Sequence, residues 1–194
     1  MDTVDADTLD RADLERLVAG HDAALDALME RHATAVFHFL CRMLGNEDDA
    51  NDLAQETFIR VYRSRESYKP QHRFSTWLFT IAANLARSQL RWRSRHPNVS
   101  LDSESGTTEQ PLASTIPANT TTPHEAAATA ERHEAVRAAV QALPSDLREA
   151  VVLCEWQDMA VAEAAAVLQC TPKAVESRLY RARGSLRTRL SKWL

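Results

Sequence analysis

The middle of the chain, residues 96–123, carries no pattern of regular secondary structure. This stretch of 28 residues contains four prolines and many serines and threonines, and it has no lysine or arginine. Proline and small polar residues interrupt helices and strands, and a loop of this length is uncommon inside a compact domain. We therefore predict a flexible linker at 96–123 that joins two folded domains, at 1–95 and 124–194.

The sequence on both sides of the linker predicts α-helices. The 194 residues include only four glycines, and apolar residues recur at intervals of three and four rather than alternating, which is typical of amphipathic helices. An apolar stripe from Leu25 to Leu44 ends at Gly45, and Asn46 is placed to cap the following helix. Another helix is expected from Ser75, as its cap, to Trp92. The predicted fold class is all-α, with two small helical domains.

The second domain carries equally clear helix boundaries. A helix is expected from about Pro123 to Ala142, with a break at Leu143–Pro144 and a new cap at Ser145. Thr171 followed by Pro172 is a strong signal for the start of the last helix. The predicted buried face of that helix consists of Val175, Leu179, Ala182, Leu186 and Leu190.

Several protein classes are disfavoured. No apolar run approaches the roughly 18 to 20 residues of a membrane-spanning helix, and the acidic start is unlike a secretion or transit signal, so a cytoplasmic location is expected. Cys41, Cys154 and Cys170 lie far apart without histidines at metal-ligand intervals, so buried neutral thiols are expected in preference to a zinc site or redox centre. Without a phosphate-binding loop or triad spacing, neither an enzyme nor a cofactor is predicted.

Charge is distributed very unevenly along the chain. The formal net charge is −4 overall, but it is −10 over residues 1–59, +8 over 60–95 and +6 over 171–194. Binding to phosphates depends on local lysines and arginines rather than on the overall charge. An acidic protein with two basic surfaces can therefore bind nucleic acid.

The last basic zone has the layout of a helix-turn-helix. A short turn at 169–171 precedes a positive helix, as in proteins that place the second helix in the DNA major groove. Lys173, Ser177 and Arg181 lie nearest the groove-facing line and suit contacts to bases, whereas the flanking arginines suit phosphates. A solvated basic helix, or a surface for an acidic partner, is the alternative. The candidate DNA-binding residues here are Thr171, Lys173, Ser177, Arg178, Arg181, Arg183 and Arg187.

The first basic zone, residues 60–95, mixes charge with aromatic residues. It has nine lysines and arginines, one acid and six aromatic residues, a composition that suits single-stranded or melted DNA, because bases stack on aromatic rings. Phe74, Trp77 and Phe79 are expected to be mainly buried. Tyr68, in a loop beside Lys69, is the aromatic residue expected to face a base.

Two blocks of the sequence resemble the bacterial sigma-70 family. Region 2 of that family is similar to DDANDLAQETFIRVY followed by RFSTWLFTIAANLAR, and region 4 is similar to LPSDLREAVVL followed by MAVAEAAAVLQCTPKAVESRLYRARGSLR. Nothing resembles region 3 or region 1.1, so the arrangement is similar to the extracytoplasmic-function (group 4) sigma factors. The resemblance does not extend to the linker or to the acidic stretch Met1 to Asp13.

The resemblance implies that the protein binds bacterial core RNA polymerase. In such factors the segment that matches DLAQE docks on the clamp coiled coil of the largest polymerase subunit. Helical periodicity also places these side chains on or beside an acidic outer face, and a merely solvated face is the alternative. The expected polymerase contacts are Asp48, Asp49, Asp52, Gln55 and Glu56.

The resemblance further implies recognition of promoter DNA. Tyr68 and Asn84 match positions that hold a flipped-out base of the −10 element, and nearby arginines would hold the backbone around it. Helix 172–189 would read the −35 element, and the linker would run through the channel where RNA later exits. The expected −10 surface consists of Tyr68, Lys69, Asn84, Arg87, Arg91, Arg93 and Arg95.

The predicted function is promoter-specific initiation of transcription. Control by an anti-sigma factor, or by a closed conformation that hides the basic faces, is expected from the linker and the two exposed functional faces. The main alternative is a stand-alone helix-turn-helix regulator that never contacts polymerase, and a module that binds acidic proteins is a further one. Core RNA polymerase, promoter DNA and an anti-sigma factor are therefore the expected partners.

Overall fold

The computed structural model describes residues 6–69, 72–96 and 123–193. Within these ranges the regular structure is helical and no β-strand occurs, so the all-α prediction is confirmed. The predicted linker lies outside the described residues except at its ends. In chain order the helices are α1 (Ala6–Val18), α2 (Ala23–Leu44), α3 (Glu47–Arg63), α4 (Phe74–Arg95), α5 (Pro123–Gln141), α6 (Ser145–Val151), α7 (Val161–Leu168) and α8 (Pro172–Arg189).

Helices α1 to α4 form the first unit. Gly45 ends α2 in the left-handed conformation with φ 70°, and its N–H donates to the Cys41 carbonyl at 2.9 Å. Asn46 caps α3 as predicted, because its Oδ1 accepts from the Asp49 N–H at 2.8 Å. The tight connection packs α3 on α2, and α4 completes the core against both.

Helices α5 to α8 form the second unit. Helix α6 continues as one π-helical turn at Val152–Trp156. Gln169, in the left-handed conformation with φ 52°, ends α7 and turns the chain into α8. Thr171 caps α8 as predicted, since its Oγ1 accepts from the Ala174 N–H at 3.2 Å. The predicted inner face of α8 is buried at Val175, Leu179 and Ala182 and half-buried at Leu186 and Leu190.

The other two predicted caps are wrong. Helix α4 begins at Phe74 with Arg73 at the N-cap and no side-chain cap, so Ser75 lies in the first turn. The completely buried Phe74 ring fixes this start instead. Helix α6 includes Ser145, because Pro144 occupies the N-cap and its carbonyl already accepts from the Leu147 and Arg148 N–H groups.

The sequence did not predict helix α1, which lies in the acidic stretch at the start of the chain. Its Asp10 carboxylate is bound by Arg31 Nε at 2.9 Å and His32 Nε2 at 2.7 Å, and Asp13 Oδ2 lies 2.6 Å from Arg31 Nη2. Burial alone raises the pKa of Asp10, but His32 and Arg31 outweigh it and hold that pKa below its ordinary value. These buried ion pairs fix α1 on α2, and residues 1–5 lie outside the described part of the chain.

The two units share one continuous apolar core. Helix α4 packs on α7, while the C-terminal half of α2 contacts α5, α6 and the π turn. The molecule is therefore closed, with the second unit lying against the first.

Candidate functional site

The outer face of α3 presents most of the predicted polymerase contacts. Asp48, Asp52 and Gln55 are exposed, whereas Glu56 is half-buried and accepts from Arg60 Nε at 2.7 Å. Asp49 is less available on this face, because its side chain is half-buried and forms an ion pair with Arg93 of α4. The structure thus brings four of the five residues together and assigns the fifth to the contact between α3 and α4.

An apolar side chain completes the same face. Ile59 lies one turn beyond Gln55 and is 43% exposed. Sequence periodicity did not single it out, because an isoleucine among charged residues is equally compatible with the edge of a core. A large apolar group surrounded by polar residues is the usual composition at the centre of a protein interface.

Two of the predicted −10 residues, Tyr68 and Lys69, line a cavity at the start of α4. The Tyr68 hydroxyl donates to the His72 carbonyl at 2.6 Å, and its ring centroid lies 5.3 Å from that of Trp77. The ring is half-buried, and burial is the largest reason for its raised pKa, followed by the negative charge of Asp7. A cavity of about 220 Å³ opens beside Tyr68, lined also by Lys69, Thr76, Thr80 and Ala166.

The arginines of α4 divide into two pairs. Arg91 and Arg95 are exposed, as a role in holding a DNA backbone requires. Arg87 lies between the units, where Nη2 donates to the Val167 carbonyl at 3.3 Å. Arg93 donates to the Leu44 carbonyl at 3.1 Å. In this closed molecule, the guanidinium groups of Arg87 and Arg93 bind protein atoms.

One face of α4 links the cavity to Asn84. Thr76, Thr80 and Asn84 are spaced four residues apart, so they lie in line along the helix. Asn84 is exposed, and both threonines line the cavity. The two threonines were not among the predicted residues, although their spacing from Asn84 was a usable signal.

Helix α8 displays a basic outer face. Lys173, Ser177 and Arg181 are exposed along one side, which agrees with the predicted groove-facing line. Tyr180 lies beside Arg181 and is 82% exposed, so it joins this side as a further candidate. Thr171 has a structural role as the helix cap.

The flanking arginines of α8 differ in their surroundings. Arg178 is half-buried, with Nη1 3.7 Å from the Cys170 sulfur and Nε 3.9 Å from Asp146. Arg183 is exposed and donates to Glu155 Oε1 at 2.6 Å, and Arg187 is exposed. Arg187 is thus the phosphate candidate with the fewest competing contacts among the described residues.

The buried carboxyl of Glu149 lies between the two candidate DNA surfaces. Its Oε1 is 3.3 Å from Arg87 Nε, but the alignment is poor, and Oε1 has no hydrogen-bond partner among the described residues. Burial raises the pKa of Glu149 to about 7, despite the opposing charges of Arg87 and Arg178. The Glu149 carboxyl, whose ionised form is unfavourable in this buried position, therefore lies near one arginine from each candidate DNA surface, Arg87 and Arg178.

A groove crosses the second unit between the π turn and the end of α8. It has a volume of about 370 Å³, an apolar floor that includes Val151 and Leu186, and Arg183 and Arg187 at its rim. Trp156 lines the groove and also carries the Arg42 guanidinium of the first unit 5.2 Å from its ring centroid.

All three cysteines are free and half-buried rather than fully buried. Burial raises the pKa of the Cys41 thiol to about 11 and also raises the pKa of Cys154. Both groups are therefore neutral thiols, as predicted. In the described ranges, no cluster of side chains suits a metal ion, and no helix is long and apolar enough to span a membrane.

Comparison with known proteins identifies both units. The family model for Sigma-70 region 2 matches residues 28–96, and the model for Sigma-70, region 4 matches residues 133–186. The ECF RNA polymerase sigma factor SigW of Bacillus subtilis is 30% identical, with 91% of this chain and 94% of that protein covered. The RNA polymerase sigma factor CarQ of Myxococcus xanthus is 37% identical, with 90% and 93% covered.

Other relatives extend this picture. The ECF RNA polymerase sigma factor SigE of Mycolicibacterium smegmatis is 35% identical over 89% of this chain, which spans 65% of that longer relative. The solved structure of CnrH, in complex with the cytosolic domain of CnrY, is 27% identical and has a TM-score of 0.70, with 95% of this chain and 98% of that chain covered. The chain belongs to the sigma-70 family and, within it, to the ECF RNA polymerase sigma factors.

Proposed function

We propose that this chain is a cytoplasmic initiation factor that binds bacterial core RNA polymerase and directs it to promoters. Residues 1–95 form the domain for polymerase and the −10 element, 96–123 form the linker, and 124–194 form the domain for the −35 element. It works by binding and carries out no covalent chemistry. The observation that carries this proposal is the match of both units, in order, to regions 2 and 4 of the family.

The outer face of α3 is the proposed polymerase contact. Asp48, Asp52 and Gln55 supply exposed polar groups, and Ile59 supplies an apolar centre that loses water on docking. Glu56 extends the face, and its partner Arg60 is exposed enough to exchange the pairing. Asp49 contributes indirectly, by its ion pair with Arg93.

The cavity beside Tyr68 is the proposed site for an unpaired base of the −10 element. Tyr68 and Trp77 offer aromatic faces, and the Thr76 and Thr80 hydroxyls and the Asn84 amide offer polar groups along the same line. Lys69 lies at the cavity, and Arg91 and Arg95 are exposed farther along α4, where they suit contacts to the DNA backbone. Arg87 joins them once the two units separate.

The exposed face of α8 is the proposed reader of the −35 duplex. Lys173, Ser177 and Arg181 face the groove, and Tyr180 adds an apolar ring beside them. Arg187 and Arg183 serve as phosphate contacts, and Arg178 is nearer the protein interior. Thr171 presents the start of the helix to the DNA.

The energies of these contacts explain why the factor needs polymerase. Unstacking a base costs a few kcal/mol, and stacking it on an aromatic side chain returns roughly 1 to 3 kcal/mol. One base pocket therefore only breaks even. Opening of the promoter must draw on contacts spread over both proteins, and the isolated chain is expected to bind promoter DNA weakly.

Control by an anti-sigma factor is part of the proposal. The groove with an apolar floor and an arginine rim suits an amphipathic helix with acidic edges. The structure of the related protein CnrH was solved with the cytosolic domain of CnrY bound. A partner that covers the groove at Trp156 would also contact the junction between the two units.

Run-off transcription with core polymerase and genomic promoter fragments tests the function. The chain should produce defined transcripts, and Asp52→Asn combined with Gln55→Ala should lower them at least tenfold by weakening polymerase binding. Asp26→Asn, an exposed acid on α2, is the matched control and should leave them unchanged. Sequence-specific DNA binding without polymerase association would instead identify a stand-alone regulator.

A further inference from the structure

The C-terminal end of α2 is one of the places where the second unit attaches to the first. A helix leaves its last four carbonyl groups without partners in the helix, and each needs a donor from elsewhere. The Cys41 carbonyl accepts from the Gly45 N–H at 2.9 Å and, at 3.4 Å, also from Gln141 Nε2 of the second unit. The Leu44 carbonyl accepts from Arg93 Nη1 of the first unit at 3.1 Å. The carbonyls of Arg42 and Met43, which lie between them, accept hydrogen bonds from the second unit.

Gln141 and Arg148 supply those two donors. Gln141 Nε2, at the end of α5, donates to the Arg42 carbonyl at 2.7 Å. Arg148 Nη1, on α6, donates to the Met43 carbonyl at 2.5 Å. A cation at this position also interacts favourably with the negative end of the α2 dipole. The Arg148 guanidinium additionally binds the carbonyls of Gln141 and Leu143, so it ties the end of α5 to the end of α2.

This attachment covers groups that promoter binding requires. Helix α7 lies on α4, with Ala166 lining the cavity beside Tyr68. Arg87 donates to the Val167 carbonyl and lies 3.3 Å from Glu149. Arg73, just before α4, pairs with Glu163 of α7 at 3.3 Å. The first turns of α4 and its Arg87 are thus occupied by the second unit.

We propose that capping of the α2 C-terminus by Gln141 and Arg148 holds the free protein in an autoinhibited closed state, which opens before polymerase and promoter bind. The inhibitory part of this inference rests on the function proposed above. The closed state itself does not depend on that function, because it is a property of the isolated chain. Arg87 reports on it directly, since its guanidinium is shielded by α7 only while the units are together.

Gln141 is the residue to change, because its side chain crosses between the units and the function proposed above does not use it. Gln141→Ala removes the short hydrogen bond to the Arg42 carbonyl and the longer one to the Cys41 carbonyl, and it should shift the equilibrium roughly fivefold toward the open state. Gln141→Glu faces the Arg42 carbonyl with a carboxylate and should shift it further. Glu134→Ala, earlier on α5 with a side chain 68% exposed, is the matched control.

Modification of the full-length protein by phenylglyoxal, quantified by mass spectrometry, measures the opening. The rate at Arg87 relative to the exposed Arg91 should rise roughly fivefold in Gln141→Ala, rise more in Gln141→Glu, and stay unchanged in Glu134→Ala. Circular dichroism checks that helix content is retained. If the ratio is the same in all four folded proteins, capping by Gln141 does not hold the units together.

A titration with core polymerase tests the inhibitory part. The apparent Kd of Gln141→Ala should fall by the same factor as the Arg87 ratio rises, because only the open fraction binds. A raised Arg87 ratio with an unchanged Kd would show that closure is not inhibitory. If neither protein binds polymerase, the proposed function fails, and the measurement on Arg87 still decides whether the closure exists.

Discussion

Replacing Glu149 by glutamine should change how the stability of the protein depends on pH. Glu149 is 4% exposed, and its Oε1 has no hydrogen-bond partner in the described part of the chain. Burial raises its pKa from the ordinary 4.5 to about 7, with Arg87 and Arg178 opposing and Asp146 adding to the rise. The ionised form is therefore unfavourable in the folded protein, although two arginines lie near it.

The sign and size of the effect follow from this pKa. Between pH 4.5 and 7 the folded protein keeps a proton that the unfolded chain has lost, so the free energy of unfolding falls as pH rises and then levels off. The difference between 4.5 and about 7 corresponds to roughly 3 kcal/mol, at about 1.4 kcal/mol for each tenfold change in the ionisation constant. Glutamine stays neutral and removes this dependence.

Urea unfolding at pH 5, 6, 7 and 8, followed by circular dichroism, measures the effect. The stability of wild type relative to Glu149→Gln should fall by about 2 to 3 kcal/mol across this range, because a small part of the effect already occurs below pH 5. Comparison with the variant cancels the titration of the other groups. Glu155→Gln, at an exposed acid paired with Arg183, is the control for the loss of a surface carboxylate. A constant difference between wild type and Glu149→Gln would show that the carboxyl is not desolvated.

Three further changes test the caps, the core and the DNA face. Thr171→Ala removes the cap of α8 and should lower the free energy of unfolding, measured by thermal denaturation, by about 1 kcal/mol. Thr188→Ala on the same helix should lower it by less than about 0.5 kcal/mol. Phe39→Ala empties a completely buried site beside Phe79 and should cost about 3 to 5 kcal/mol in urea; a loss below about 1 would contradict this packing. Arg187→Ala should weaken holoenzyme binding to all promoters similarly, and the slope of the logarithm of the binding constant against the logarithm of salt concentration should fall by about one. A loss of binding confined to one promoter sequence would indicate that Arg187 contacts a base instead.

The helices and two of the caps could be predicted because their signals are local. Asn46 and Thr171 each stand directly before a helix, and each side chain accepts from an N–H of the first turn, as their position in the sequence indicates. The start of α4 is set by the buried Phe74 instead of Ser75. The start of α6 is set by the backbone of Pro144 instead of the Ser145 side chain. Burial and backbone geometry at these positions depend on neighbours that are distant in sequence.

The contact between the units was less accessible to sequence reasoning. In the sequence, nothing distinguishes Gln141 from other polar residues or Arg148 from other basic residues. Only the folded chain shows that they donate hydrogen bonds to carbonyl groups about 100 residues away. Arg87 and Arg93 had the same appearance as Arg91 and Arg95 in the basic zone. An arginine suits a phosphate, a carboxylate or the end of a helix equally well, so its partner depends on the conformation.

Glu149 shows that the closed state is held against an electrostatic cost. Closure brings Arg87 to within 3.3 Å of its carboxylate, yet burial still outweighs the attraction, so this ion pair is not what holds the units together. The capping bonds at the end of α2 and the apolar contact of α4 with α7 must offset that cost. In the proposed open state, Arg87 would lose its contacts with Val167 and Glu149 and become available to a phosphate. A partner that binds only the separated units would shift the equilibrium toward them, and its contacts with Arg87 would add to that shift.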